Sequence, residues 1–154
     1  MNNTLQFKVS SALKDLVGKD LITNDNVAIF ELVKNSYDAY ANHVVITFSE
    51  DKITIIDNGK GMSYEDLRDK WLFLGFSAKK DGTEDPVEDK QKSYRDKIKR
   101  YYAGAKGIGR FSCDRLGRLL TITTKTERAT EAEQISVDWS KFEVDQKKEF
   151  SSID

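Results

Sequence analysis

The sequence predicts a single domain of the α+β class, and three observations support this prediction. The 154 residues match the usual length of one domain. Two pairs of short β-branched runs are each joined by a polar turn, which indicates two antiparallel hairpins. The helical patterns lie outside these pairs, and such grouping favours α+β over a parallel βαβ fold.

Composition excludes several classes of function. The 25 Lys and Arg residues balance 26 Asp and Glu residues, so nothing suggests nucleic acid or an acidic membrane as an electrostatic partner. No apolar run approaches the ~18 residues of a membrane span, and the start lacks a signal peptide's apolar core. The one cysteine, Cys113, excludes an internal disulfide and a cysteine-based zinc site. We therefore expect a cytoplasmic protein.

The first half of the chain alternates helical and strand patterns. Apolar spacing predicts a helix over 5–22, interrupted or ended at Gly18. A second helix is predicted over 26–41, with N-cap candidates at Thr23, Asn24 and Asp25. The runs 44–48 and 53–56 then predict a hairpin of two strands.

The second half begins with a capping-box pattern at Ser63–Asp66, which predicts a short helix ending near Gly75. The charged stretch 79–100 predicts a mobile surface segment, with a short helix over about 92–102. The remaining elements are predicted as a helix over 110–116 and strands over 119–126 and 134–139.

A polar stripe marks the predicted helix over 26–41. At ~100° per residue, Glu31, Asn35 and Asp38 share one face. The opposite side carries Ile29, Leu32, Val33, Ser36 and Tyr40. The stripe suits a solvent-exposed face, but it contains no Lys or Arg to pair with its acids, and Asn is unfavourable inside an exposed helix. In a functional interpretation, Glu31 accepts a proton from water and Asn35 offers a carbonyl oxygen to Mg²⁺.

Two glycine-containing loops carry further candidates, and the first spans residues 57–61. Asp57 follows a strand directly, so it either ends that strand and begins a turn or accepts a hydrogen bond from an exocyclic amine. Gly59 and Gly61 would let a flat ring approach the backbone closely.

The second loop, 103–111, has glycines at 104, 107 and 109 before a predicted helix. It suits a flexible turn with a helix cap, or a phosphate site in which Lys106 and Arg110 add charge. The spacing matches neither a Walker A loop nor a Rossmann fingerprint.

These stretches occur together and in order, and they resemble the GHKL ATPase superfamily of gyrase B, heat-shock chaperones, histidine kinases and MutL. The resemblance rests on Glu31-Leu-Val-Lys-Asn35-Ser-Tyr-Asp38-Ala, Asp57-Asn-Gly-Lys-Gly61-Met and Gly104-Ala-Lys-Gly-Ile-Gly109-Arg-Phe, and it covers about residues 8–140. It implies the Bergerat fold, an α/β sandwich with a mixed, mainly antiparallel sheet and helices on one face. The opening residues and the phrase Ala-Lys-Gly-Ile-Gly-Arg-Phe look most like the branch shared by MORC proteins and bacterial ATPases.

The resemblance also implies roles for individual residues. Glu31 would be the general base, Asn35 the Mg²⁺ ligand and Asp57 the partner of the adenine amino group. Asp38 would support the site from the same helix as Glu31. The remaining nucleotide-binding residues would be Gly59, Gly61, Met62, Ser77, Lys79, Gly104, Lys106, Gly107, Ile108, Gly109, Arg110 and Phe111. Of these, Ser77 and Lys79 come from a Gly-x-Ser-x-Lys stretch like that of MutL- and MORC-like members, and Lys79-Lys80 also suits a solvated loop.

The implied function is Mg²⁺-dependent binding and hydrolysis of ATP, with ATP and ADP as ligands. Nucleotide binding would order a lid over 76–106 and form a homodimer surface in the full-length protein. One alternative is a nucleotide-binding interaction module without turnover. Another is a sensor histidine kinase, for which the only histidine, His43, is poorly placed beside a strand.

The chain departs from the family pattern at its end. Family members continue into a strand opened by Gly-Thr, whose threonine helps bind adenine, and then into a transducer domain whose lysine reaches the γ-phosphate. Residues 1–154 stop at Asp154 without either feature. We therefore expect an ATP-binding domain truncated at its C-terminus. The sequence leaves open whether such a domain hydrolyses ATP unaided.

Overall fold

The computed structural model describes residues 22–73, 100–104 and 109–142. Within these ranges it shows helices and small antiparallel sheets, so the predicted α+β class is confirmed. The predicted helix over 5–22 lies outside the described residues apart from its last residue. The predicted helix over 92–102 is described only at 100–102, where the chain has no regular structure. Five expected site residues also lie outside them: Ser77, Lys79, Lys106, Gly107 and Ile108.

Helix α1 spans Asp25–Asp38 and begins at one of the three predicted caps. The Asn24 side chain accepts a hydrogen bond from the Val27 backbone N–H at 3.0 Å, which satisfies one of the free donors of the first turn. The helix ends three residues before the predicted 41 because Tyr40 adopts a left-handed φ of 66°. The Ala41 N–H then bonds the Ser36 carbonyl and the Tyr40 N–H bonds the Tyr37 carbonyl, which is a Schellman motif.

Strands β1 (Val44–Phe48) and β2 (Ile53–Asp57) form the predicted antiparallel hairpin. The register pairs Val44 with Asp57 and Phe48 with Ile53. A backbone hydrogen bond of 2.9 Å from Ser49 N–H to the Lys52 carbonyl closes the turn. Asp57 is thus the last residue of its strand and leads directly into the first glycine loop.

Helix α2 (Tyr64–Asp66) begins with the predicted capping box. The Ser63 hydroxyl accepts from the Asp66 N–H, and the Asp66 carboxylate accepts from the Ser63 N–H. Burial raises the pKa of Asp66, but hydrogen bonds from Lys70 and Ser63 outweigh it and hold the pKa below its ordinary value. A π-helical turn, Leu67–Trp71, continues α2, so the helical segment stops short of the predicted end near Gly75.

The third part of the described chain is a second hairpin with short helical turns at both ends. A 3₁₀ turn (Gly109–Phe111) leads into α3 (Ser112–Leu116). Strands β3 (Leu119–Thr124) and β4 (Glu133–Asp138) pair antiparallel, as predicted, and a 3₁₀ turn (Trp139–Phe142) follows. The described strands therefore make two separate two-stranded sheets, where the resemblance implied one mixed sheet.

The apolar core lies beside this second hairpin. Phe111 is 1% exposed and its ring centroid lies 6.0 Å from that of Trp139, which is 4% exposed. Cys113, Leu120, Val137 and Phe142 pack against this pair. Because α1 also packs against α3 and the preceding 3₁₀ turn, the core holds the Gly109 end of the second glycine loop against α1.

Candidate functional site

The polar stripe of α1 meets the end of the second glycine loop. A Cβ atom placed on Gly109 would lie 3.6 Å from Glu31 Oε2 and 3.5 Å from Asn35 Nδ2. These are ordinary van der Waals distances, so the Gly109 backbone lies directly beside both side chains. Two sequence motifs that are far apart along the chain are brought together at one place, as the functional interpretation of the stripe requires.

Lys34 pairs with Glu31, contrary to the sequence argument that the acids of the stripe lack a basic partner. The Lys34 Nζ atom lies 2.7 Å from Glu31 Oε1. Lys34 lies outside the stripe, but it can reach Glu31 because residues three positions apart on a helix are neighbours. One carboxylate oxygen of Glu31 is thus engaged, and the other faces Gly109.

Asp38 connects α1 to the start of the second glycine loop. Its side chain is only 2% exposed. The Oδ1 atom accepts from the Ala103 N–H at 2.6 Å, and Oδ2 accepts from the Gly104 N–H at 3.0 Å. A buried carboxylate needs such donors, and charge-assisted bonds of this kind are stronger than neutral ones. Asp38 therefore holds the loop through backbone groups.

Arg100 makes a second connection at the same end of α1. Its Nη1 atom donates to the carbonyls of Tyr37 and Ala41, at 2.9 and 2.7 Å. The guanidinium lies 4.7 Å from the Tyr37 ring centroid and 5.8 Å from that of Tyr40. A cation at a helix C-terminus is favoured by the exposed carbonyls there, so Arg100 stabilises the turn that ends α1.

Asp57 is linked to α1 through Ser36, a residue that sequence analysis missed. The Ser36 hydroxyl donates to Asp57 Oδ2 at 2.8 Å, and the Gly59 N–H donates to Asp57 Oδ1 at 2.8 Å. Ser36 was assigned to the apolar side of the helix. The sequence signal that could have identified Ser36 is a small polar residue among larger apolar ones. In the structure Ser36 is buried, with 4% exposure.

The first glycine loop packs so closely that Gly59 has no room for a side chain. A Cβ atom there would lie 2.7 Å from the Ala39 carbonyl oxygen. The Lys60 N–H donates to that same oxygen at 2.7 Å. The Asn58 side chain accepts from the N–H groups of Asn42 and His43, both at 3.0 Å, which ties the loop to the chain after α1.

Gly61 and Met62 join the first glycine loop to the second hairpin. Gly61 has a left-handed φ of 69°, and a Cβ atom there would lie 2.1 Å from the Lys125 carbonyl oxygen. The Met62 N–H donates to Thr124 Oγ1 at 2.9 Å. Neither Thr124 nor Lys125 was a candidate, because nothing in the sequence indicates that the end of β3 meets this loop.

Arg110 and Phe111 take positions that sequence analysis did not expect. The Arg110 Nη1 atom donates to the carbonyls of Lys70, Trp71 and Phe73, at the end of the α2 segment. Burial lowers the pKa of Arg110 to about 10, so the group is still a cation at neutral pH. The Phe111 side chain lies in the core against Trp139. In this structure Arg110 therefore binds backbone carbonyls and Phe111 packs in the core, and the nucleotide contacts expected of both residues stay a prediction.

Comparison with known proteins identifies the family. A sequence model of the family described as "Histidine kinase-, DNA gyrase B-, and HSP90-like ATPase" matches residues 22–154, most of the chain. The chain belongs to this GHKL-type ATPase family. The resemblance inferred from the sequence motifs is thereby confirmed.

One curated relative of this ATPase domain is named "Putative type II restriction enzyme HgiDII" and comes from Herpetosiphon aurantiacus. The two are 36% identical over 77 residues, which is 49% of this chain and 13% of the relative. The chain thus matches only a small part of the relative's length.

Family membership indicates that the GHKL-type domain binds ATP. In the described ranges, none of the helices has the length and apolar character needed to cross a membrane.

The described parts of the three motifs all meet α1. Glu31 and Asn35 face Gly109, Asp38 holds Gly104, and Asp57 bonds Ser36.

The donor set near Gly109 suits a hard cation. Asn35 is exposed, and its side-chain amide makes no hydrogen bond with any described residue. Amide and carboxylate oxygens are the ligands that Mg²⁺ prefers, and it is commonly held by one or two protein groups together with substrate phosphates. An exposed Asn35 beside the Gly109 backbone therefore fits a shared protein–phosphate site.

Proposed function

We propose that this domain hydrolyses ATP in a Mg²⁺-dependent reaction, with Glu31 as the general base. The observation that carries the proposal is the meeting of Glu31 Oε2, the Asn35 amide and the Gly109 backbone. A carboxylate within reach of a phosphate-binding loop is placed to take a proton from an attacking water. The family match supports ATP as the substrate.

In this proposal Asn35 would hold Mg²⁺ through its amide oxygen. The ion would supply positive charge that offsets the charge developing on the phosphates. The protein's own contribution is to position the amide and the base on one helix face, one turn apart. Gly109 contributes by bringing the loop backbone to that face with no side chain of its own between them.

Asp57 would accept a hydrogen bond from the adenine amino group. An ionised carboxylate has about four acceptor positions, and Ser36 and Gly59 use one each. Because the Asp57 side chain is exposed, the remaining positions are accessible to a ligand. Gly59 and Gly61, both closely packed on neighbouring backbone, would then form a flat wall beside the base.

The proposal extends to the residues of the motifs outside the described ranges and to the whole protein. Ser77, Lys79, Lys106, Gly107 and Ile108 would contact the nucleotide, with ATP binding ordering a lid over 76–106. Lid closure would form a homodimer surface in a cytoplasmic protein. The support is the charged sequence before the glycine motif and the attachment of Ala103 and Gly104 to Asp38.

The test measures ATP hydrolysis and ATP affinity together. We expect Glu31→Ala to lower kcat by about 10²–10⁴-fold, because that is the usual contribution of a general base. Its affinity for Mg·ATP, measured by calorimetry, should stay within about threefold, since the base is needed for the chemical step. Glu50→Ala, on the exposed turn between β1 and β2, is the matched control and should leave both values unchanged.

Two results would contradict the proposal. Equal turnover by the wild type and Glu31→Ala would remove Glu31 from catalysis. Tight binding of Mg·ATP with no phosphate release by the wild-type protein would instead indicate a nucleotide-binding module without turnover.

A further inference from the structure

We propose that Lys34 is a positioning residue for hydrolysis: it holds one oxygen of Glu31 so that the other stays directed at Asn35 and Gly109. This inference rests on the proposed function, because it assigns a role in the same reaction. Nothing in the sequence motifs assigns a role to Lys34, which lies directly before Asn35.

The contact between the two side chains is short and partly shielded from water. Lys34 Nζ lies 2.7 Å from Glu31 Oε1, and the side chains are only 23% and 27% exposed. The Lys34 Nζ atom also lies 5.8 Å from the ring centroid of Phe30, within the range of a cation–π contact. The ammonium group is therefore held from two sides, unlike a typical solvent-exposed ion pair.

The two carboxylate oxygens of Glu31 have different neighbours. Oε1 accepts the Lys34 hydrogen bond, and Oε2 is the oxygen nearest to the backbone of Gly109. A general base must present a free oxygen in a defined direction, and a side chain held at one end has fewer orientations to lose. Lys34 thus selects the Glu31 orientation in which Oε2 faces Gly109.

A purely structural role for the pair makes a different prediction. A Glu–Lys pair one turn apart stabilises a helix slightly whatever lies nearby. Removing it would then change stability and leave the rate constant for hydrolysis unaltered. The positioning role requires a change in kcat with little change in ATP affinity, because Glu31 acts on the attacking water.

The experiment compares Lys34→Met, which keeps a long apolar side chain, with Lys34→Arg, which keeps the cation. We expect Lys34→Met to lower kcat by about 10-fold to 100-fold, with KM and the Kd for Mg·ATP within about twofold of wild type. Lys34→Arg should recover most of the lost rate. Lys52→Met, on the exposed β1–β2 turn, is the control and should match wild type.

A double-mutant cycle tests whether Lys34 acts through Glu31. In the Glu31→Gln background, Lys34→Met should cause no further loss of rate, because the group it positions is already gone. Independent, multiplicative losses would overturn the proposal. A wild-type kcat in Lys34→Met would also overturn it. The same holds for a rise in Kd and a fall in melting temperature that account for the lower rate.

The failure of this inference can be distinguished from the failure of the proposed function. Wild-type protein that binds Mg·ATP without hydrolysing it overturns both. Hydrolysis that depends on Glu31 but is unaffected by Lys34→Met overturns the role of Lys34 alone.

Discussion

Gly61 shows how one residue can set the position of a whole loop. Its φ of 69° lies in the left-handed region, and a Cβ atom would lie 2.1 Å from the Lys125 carbonyl oxygen. The conformation alone disfavours a side chain by roughly 1–2 kcal/mol. The contact is with backbone, which cannot move aside as the end of a flexible side chain could.

We predict that Gly61→Ala lowers the free energy of unfolding by at least about 2 kcal/mol and weakens ATP binding, because the loop must move away from Lys125. Urea unfolding and calorimetry measure the two effects. The matched control is Gly117→Ala, because Gly117 has an extended backbone and a Cβ there would lie 3.9 Å from its nearest neighbour, the Leu119 carbonyl oxygen. Equal stability of the two variants would show that the loop tolerates the displacement.

The last turn of α1 holds the chain that leads into the second glycine loop. Asp38 binds the N–H groups of Ala103 and Gly104, and Arg100 binds carbonyls at the end of the same helix. Within this short stretch the anionic Asp38 thus accepts from backbone N–H groups, and the cationic Arg100 donates to backbone carbonyls. These hydrogen bonds attach residues 100–104 to the end of α1.

We predict that Asp38→Asn lowers the free energy of unfolding by about 1–3 kcal/mol, because an amide NH₂ would face a backbone N–H where a carboxylate oxygen accepts it now. ATP affinity should fall as well, since Gly104 loses its support. Asp51→Asn, on the exposed β1–β2 turn, removes the same charge and should change neither value. Wild-type stability of Asp38→Asn would mean that the loop is held by other contacts.

Across the whole described molecule, stability depends on a small core beside the second hairpin. Phe111 follows Gly109 and Arg110 in the sequence, so the residues next to the candidate site also anchor the fold. Arg110 strengthens this arrangement by binding the carbonyls that end the α2 segment. Loss of the core should therefore disturb the site together with the fold.

We predict that Phe111→Ala destabilises the protein by about 3–5 kcal/mol, the usual cost of removing a buried aromatic ring. Phe48→Ala is the control, because Phe48 is 68% exposed at the end of β1 and its loss should cost much less. Thermal or urea unfolding distinguishes them. Similar values for the two variants would show that the pair of Phe111 and Trp139 is not the main core.

Most secondary structure could be predicted from sequence, because its causes are local. The capping box at Ser63–Asp66 and the N-cap at Asn24 depend on residues within one turn, and both were predicted. The end of α1 was not predicted, because it depends on a left-handed Tyr40 next to Arg100, a residue 60 positions away. Ser36, Thr124 and Lys125 were missed for the same kind of reason: their partners are distant in sequence.

Local patterns in the chain predict the α+β class, the two hairpins and membership of the GHKL-type ATPase family, because periodicity, caps and ordered motifs lie in short stretches of sequence. Packing between distant segments settles which oxygen of Glu31 bonds Lys34 and which faces Gly109, that Asp38 holds Gly104, and that Phe111 is buried while Asn35 is exposed. These outcomes depend on packing between segments far apart in sequence, where distances of a few tenths of an ångström determine which polar atoms find a partner.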